Sequence, residues 1–299
     1  MHSLIDCESP AMFSTLKRFA LAGAVMAFAA HATAADLKLD VYNPGEAAIF
    51  PVTSVLVSGE KDAILVDAQF GKSQAEALVQ KIRASGKQLA TIYISHGDPD
   101  YYFGLDTLTA AFPNAKVLAP QPVVDHIKAT VAGKLDFWGP KMGADKPAKT
   151  IIPQVLKGHS LKLEDHTLEV IGLDGPQPDR SFVWIPSLKA VVGGVVVAQN
   201  IHVWMADTQS AKSHTDWLAT LQRIEKLKPA TVIPGHYLGT PSVQSVAFTA
   251  GYIKAFDEET AKANDAAGLI AAMKQRYPGL ADESSLELSA KVAKGEMKW

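Results

Sequence analysis

A chain of 299 residues with 47% hydrophobic and 20% charged side chains has the composition of a protein that folds around a sizeable core, which excludes intrinsic disorder. With 29 Lys and Arg against 31 Asp and Glu, the net charge of −2 offers no positive field to hold a phosphate backbone, so nucleic acid is excluded as a partner.

Residues 1–34 read as a cleavable signal peptide. Lys17 and Arg18 precede an apolar run over 19–30, and Ala32-Thr33-Ala34 is the small-residue pattern a signal peptidase cuts after. The run is shorter than the roughly 20 residues of a bilayer span, which sets a membrane anchor behind a cleaved leader. Met12, just ahead of the basic pair, is an alternative start. A periplasmic or secreted protein is expected, with no stable membrane insertion after cleavage. The single cysteine, Cys7, precedes the basic pair, so the mature chain has no thiol for a disulfide or a cysteine zinc site.

From residue 35 onward no repeat, low-complexity tract or long linker divides the chain, so 35–299 is expected to be one domain with a helical extension at its end. Apolar residues 54–57 and 63–66, joined by Gly59-Glu60-Lys61-Asp62, read as a hairpin. Residues 73–85 show an amphipathic helical period, with Ser73 as N-cap and Gly86 past the end. A buried strand at 90–94 runs directly into Ser95-His96-Gly97-Asp98-Pro99-Asp100-Tyr101, the place where α/β proteins build sites. Further strands are expected at 168–171, 182–185, 190–197 and 231–233. A helix is expected over 213–227, and helices from 242 onward with breaks near Gly268 and Pro278. His126, His159 and His166 have no ligand spacing and read as structural or surface residues; His214 reads as exposed or capping at a helix start.

The loop after 94 carries the strongest chemistry. Alternate residues in an extended turn point the same way, so His96, Asp98 and Asp100 can converge on one point. The loop alone allows a second reading, a polar cap in which Asp100 bonds the first amides of the following helix.

The 54–67 hairpin, the His96-to-Gly104 loop and the late Ile233-Pro234-Gly235-His236 fall in the order and spacing of the metallo-β-lactamase superfamily, which this chain resembles over most of residues 50–240. The resemblance implies an α/β fold of the four-layer αββα sandwich type, with the loops 96–101, 172–176 and 200–207 meeting His236 at one edge. The family holds two zinc ions with five histidines and two aspartates. Carried over, His96 matches the first loop histidine, Asp98 replaces the second, Asp100 matches the aspartate, and Tyr101 replaces the third. Leu173 stands for the Gly-His-Thr histidine with Asp174 as a substitute, the bridging aspartate falls at Gly194, and His236 matches the late histidine. The implied metal set is therefore His96, Asp98, Asp100, Asp174 and His236. It suits at most one divalent ion, zinc or a harder ion such as manganese or iron, or none.

Two functions follow from the resemblance. One is an exported metal-dependent hydrolase of a small organic substrate (ester, lactone, lactam or phosphoester). In it Asp100 acts as base or orients the metal-bound water, and Tyr101 donates to the developing oxyanion. The other is a catalytically inactive periplasmic binding protein with a degenerate site; a single-iron redox protein is a third, weaker reading. His202, Trp204 and Asp207, in the run after the strand that ends at the site, are candidate cleft residues for the small molecule. No oligomeric state is implied.

Overall fold

Residues 54–58, 63–66, 182–185 and 190–192 are buried along their whole length and so on both strand faces, which forces a layered arrangement with helices outside paired sheets. The computed structural model describes residues 36–299; the expected leader and Cys7 lie outside the described residues.

The first sheet consists of β1 (Lys38–Tyr42), β2 (Ser54–Ser58), β3 (Asp62–Val66), β4 (Gln88–Tyr93), β5 (Lys116–Ala119) and β6 (Gln154–Val155), in that order across the sheet. β1 to β3 pair antiparallel and β3 to β6 parallel. Parallel neighbours need crossovers, supplied by helices α1 (Lys72–Ser85), α2 (Pro99–Tyr102), α3 (Leu105–Ala111) and α4 (Gln121–Met142). The second sheet takes β7 (Ser160–Leu163), β8 (His166–Ile171), β9 (Phe182–Ile185) and β10 (Ala190–Val192). After the short β11 (Ala198–Gln199) and helix α5 (Ala211–Leu227), β12 (Thr231–Val232) joins it beside β10. β13 (His236–Tyr237) pairs in parallel with β11, and α6 (Ser245–Lys262), α7 (Ala266–Arg276) and α8 (Glu283–Ala293) complete the described chain.

Strand alternation sorts the side chains into three apolar layers. Val55, Val57, Ile64 and Val66 join Val183, Ile185, Ala190 and Val192 between the sheets. Leu56, Ala63 and Leu65 face the other way, onto residues of α1, α3 and α4. Phe182, Trp184 and Val191 face residues of α5 to α8. This is the expected αββα order, and each fully buried Val or Leu adds about 1.5–3 kcal/mol through apolar area removed from water.

Several local expectations are corrected. Helix α1 starts at Lys72, and Ser73 lies in its first turn, where Asp145 Oδ1 accepts from the Ser73 amide at 2.7 Å. The strand expected over 190–197 stops at Val192, because Gly193 and Gly194 both adopt positive φ and turn the chain. Gly268 sits inside α7, where the Asp265 side chain caps the helix by accepting from the Gly268 amide at 2.7 Å. His214 is buried and not exposed, its Nδ1 2.6 Å from Asp257 Oδ1 and its Nε2 2.5 Å from the Thr208 carbonyl. Among the described residues no helix is long and apolar enough to cross a membrane.

The two sheets are also tied at their rims. Glu164, in the β7–β8 turn, accepts from the amides of Glu60, Lys61 and Asp62 in the β2–β3 turn. These bonds hold its carboxyl down at about 2, against an ordinary value of 4.5. A lowered folded pKa gives stability that is present above pH 4.5 and lost as pH falls towards 2. Wild type should therefore be more stable than Glu164→Gln at neutral pH, and the gap between their urea midpoints should narrow steadily below pH 4.5.

Candidate active site

The ends of β3 and β4 create the site. Asp67 follows β3 in the left-handed region, φ 65°, with its carboxylate fully buried. Its Oδ1 accepts from the Ser95 amide at 2.8 Å and its Oδ2 from the Ser95 hydroxyl at 2.7 Å. The same hydroxyl accepts from the Gly194 amide at 2.7 Å, which joins the exit of β10 to the exits of β3 and β4. Burial pushes the Asp67 carboxyl up to about 7 despite the two bonds from Ser95.

From this anchor the next residues enter the cleft. His96 is buried, with Nε2 3.1 Å from Asp98 Oδ2 and Nδ1 3.1 Å from the Asp179 carbonyl. Burial opposes its protonation, but the Asp98 carboxylate outweighs burial and raises its pKa. Asp98 is also 3.9 Å from His126 Nε2 and 3.4 Å from Lys134 Nζ. Burial would raise the Asp98 pKa, yet His96, Lys134 and His126 draw it well below the usual carboxylate range. Close approach of His126 needs Gly97, since a Cβ there would stand 2.6 Å from the imidazole Cδ2.

The second half of the cluster is a chain. Asp100 Oδ2 lies 2.7 Å from His236 Nε2, and His236 Nδ1 lies 3.2 Å from the Tyr101 hydroxyl. The Tyr101 ring packs edge-on against both His96 and His236, at centroid distances of 5.3 and 5.5 Å. Tyr101 is fully buried, and burial followed by the nearby Asp100 charge keeps its phenol protonated. No side chain caps α2, so Asp98 and Asp100 are free of the capping role the loop alone allowed.

A cleft of about 610 Å³, its open mouth included, lies over these groups. Asp98, Asp100 and His236 line it, beside Lys134 of α4 and Val195 of the loop after β10. Phe50, Trp138, Trp204 and Trp299 supply its aromatic walls, and His202 and Asp207 line it as well. Asp207 bridges two indoles, accepting from Trp204 Nε1 at 2.5 Å and Trp299 Nε1 at 2.7 Å. Lys134 Nζ sits 4.7 Å from the Trp299 ring centroid, a cation–π distance. His202 is buried against Tyr252, with Nδ1 3.0 Å from its hydroxyl.

Asp174 is not in this cleft. It is exposed and paired with Arg223 at 2.7 Å, which corrects its expected role as a ligand. Leu173 packs against the inter-sheet core, and the part of the 172–180 loop that reaches the cluster is Asp179-Arg180. The bridging-aspartate position is corrected too. A Cβ at Gly194 would stand 2.2 Å from the Ser181 carbonyl, at φ +79°, whereas the next residue, Val195, faces the cleft. Tyr101 is corrected as an oxyanion donor, because its hydroxyl faces His236 and is sealed from the cleft.

Sequence reasoning missed Lys134, Arg180 and His126. Lys134 and His126 lie on α4, whose apolar residues follow no clean helical stripe, and Arg180 lies in a loop without periodicity.

The donor set does not fit the family's two-ion site. Tyr101, Leu173 and Gly194 stand at positions where the family carries ligands, and the His96 nitrogens face the Asp179 carbonyl and the Asp98 carboxylate, each at 3.1 Å. Both nitrogens of His236 are likewise taken, by Asp100 and Tyr101. Among the described residues no three His, Cys, Asp or Glu side chains converge as a metal set.

The Gly194 geometry gives a test. Gly194→Ala should destabilise the fold by about 2 kcal/mol or more, from left-handed strain and the clash with Ser181, while Val195→Thr costs less. Denaturant unfolding of both variants measures the difference.

The profile of the Metallo-beta-lactamase superfamily matches residues 48–236. A crystal structure of the DIM-1 metallo-β-lactamase superimposes with a TM-score of 0.52 at 18% identity, covering 74% of this chain and 99% of that one. The metallo-β-lactamase from Pontibacter korlensis gives 0.52 at 17% identity, covering 73% and 99%. At such identities the likeness concerns the fold. The uncharacterized protein YobT of Bacillus subtilis (strain 168) is 38% identical over 71 residues, which span 24% of this chain and only 30% of that protein. With its profile matched across more than half of the sequence and its two sheets layered as above, the chain belongs to the metallo-β-lactamase superfamily.

Proposed function

We propose that this protein is an exported hydrolase of a small organic ester or lactone, working with side-chain acid–base groups at the cleft. The observation that carries the reading is the Asp100–His236–Tyr101 chain beneath an aromatic-walled cleft that also holds Lys134.

Asp100 faces the cleft with Oδ2 held by His236. A water on its other oxygen attacks the carbonyl carbon of a bound ester and passes its proton to the carboxylate; collapse of the tetrahedral adduct breaks the ester C–O bond, and the leaving alkoxide takes that proton back from Asp100. His236 orients Asp100, and Tyr101 fixes the imidazole from behind. Lys134 is the cation within the cleft positioned to favour negative charge on the carbonyl oxygen. Phe50, Trp138 and Trp204 offer apolar surface to the acyl or ring portion of the substrate. An ester or lactone is favoured over a phosphodiester because the cleft turns carboxylates towards its ligand, and these repel a phosphate. Superfamily members typically bind divalent metal. No step here is routed through one, since the donor set does not fit.

A chromogenic ester and lactone panel tests the reading. Turnover is expected, falling by at least about 100-fold in Asp100→Asn and showing a raised KM in Trp204→Ala. Turnover indifferent to Asp100→Asn overturns it. The substitutions at Tyr101 and Val195 favour a second reading, a periplasmic binding protein without chemistry. Saturable binding of the same esters with no hydrolysis in wild type selects that reading.

Export is proposed from residues 1–34. N-terminal sequencing of protein recovered from outside the cytoplasm should begin near residue 35; an intact leader in the membrane fraction overturns export.

A further inference from the structure

The carboxylates of this site carry their own counter-charge. Asp98, Asp100 and Asp207 share one cleft, and Asp179 adjoins it through His96. Carboxylates gathered at low dielectric repel one another and need a cation. In the superfamily that cation is metal. Here two side chains reach the same place from unrelated elements. Lys134 arrives from α4 with Nζ 3.4 Å from Asp98 Oδ1, its side chain 16% exposed. Arg180 arrives from the loop before β9, is 6% exposed, and lies with its guanidinium carbon 4.1 Å from the Trp217 ring centroid.

A guanidinium so deeply placed has lost most of its water. Its Nε and Nη2 have no hydrogen-bond partner among the described residues, so hydrogen bonding does not explain its burial. Burial lowers its pKa, and the charges of Asp207, Asp179 and Asp98 work against that loss; its place beside them is set by Trp217, which lines the same cleft. The ring of Trp217 adds a cation–π contact.

We propose that Arg180 and Lys134 supply in this chain the positive charge that metal ions supply elsewhere in the superfamily, so that the cluster is complete without a divalent ion. The committed nitrogens of His96 and His236 agree with this, and a divalent ion added beside Arg180 and Lys134 meets two fixed cations. The inference concerns what neutralises the cluster and stands whether or not the cleft turns over an ester.

The test uses the full chain and reads metal and stability, not activity. Wild type dialysed against zinc or manganese should retain well under one equivalent per chain, and its Tm should move neither with those ions nor with chelator. Arg180→Met should lower Tm, and adding Asp98→Asn should restore part of that loss, because the second change removes a carboxylate left without its cation. If Arg180→Met does not fold, Lys134→Met with Asp98→Asn forms the same cycle. One or more retained ions with a Tm that falls on chelation overturns the proposal. So does a loss from the cation substitution that Asp98→Asn leaves unchanged, which would mark that side chain as packing alone.

Discussion

A single buried carboxylate joins the two halves of this molecule. Asp67 ends β3, binds both the amide and hydroxyl of Ser95 at the end of β4, and through that hydroxyl engages Gly194 at the exit of β10. Between the sheets the strand bodies meet through apolar contacts, which are non-directional and leave the loops at this end free to drift. Directional bonds from one carboxylate fix the register of three strand ends at once. Everything in the cleft hangs from them: His96 follows Ser95 directly, Val195 follows Gly194, and Tyr101 is held by its carbonyl to the amide of Ala68 at 2.7 Å.

That anchor is costly, since an Asp without a cation loses its hydration on burial, which raises its pKa to about 7. Around it, the three carboxylates of the cleft each have side-chain partners. Asp98 has His96 and Lys134, Asp100 has His236, and Asp207 has two indole N–H groups. The result is a polar cluster satisfied by side chains, where a metal site would instead leave imidazole nitrogens and carboxylate oxygens turned towards a common empty point.

The aromatic walls add shape to this charge. Phe50 stands 5.0 Å from Trp138 and 6.4 Å from both Trp204 and His236, so residues from four distant segments make one continuous surface. Edge-on packing of this kind is rigid at low entropic cost, which suits a cleft that receives a small organic molecule.

The sequence by itself determined the hairpin at 54–66 and the polar loop of His96, Asp98 and Asp100 at the end of a buried strand, which follow from apolar runs and turn residues, all local signals. The layered fold and the place of His236 at the same edge were implied by the resemblance of motif order to the metallo-β-lactamase superfamily. His202, Trp204 and Asp207 were legible for the same reason. Tertiary structure alone decided that Asp174 pairs with Arg223 at the surface, that Gly194 turns away and presents Val195, and that Tyr101 is sealed behind His236. It alone brought Lys134 within 3.4 Å of Asp98 and set Arg180 on Trp217 of the same cleft, from a helix 36 residues and a loop 82 residues further along the chain. Motif spacing records which residue types are present, whereas the partner that neutralises a buried charge is chosen by chain crossings that no local period encodes.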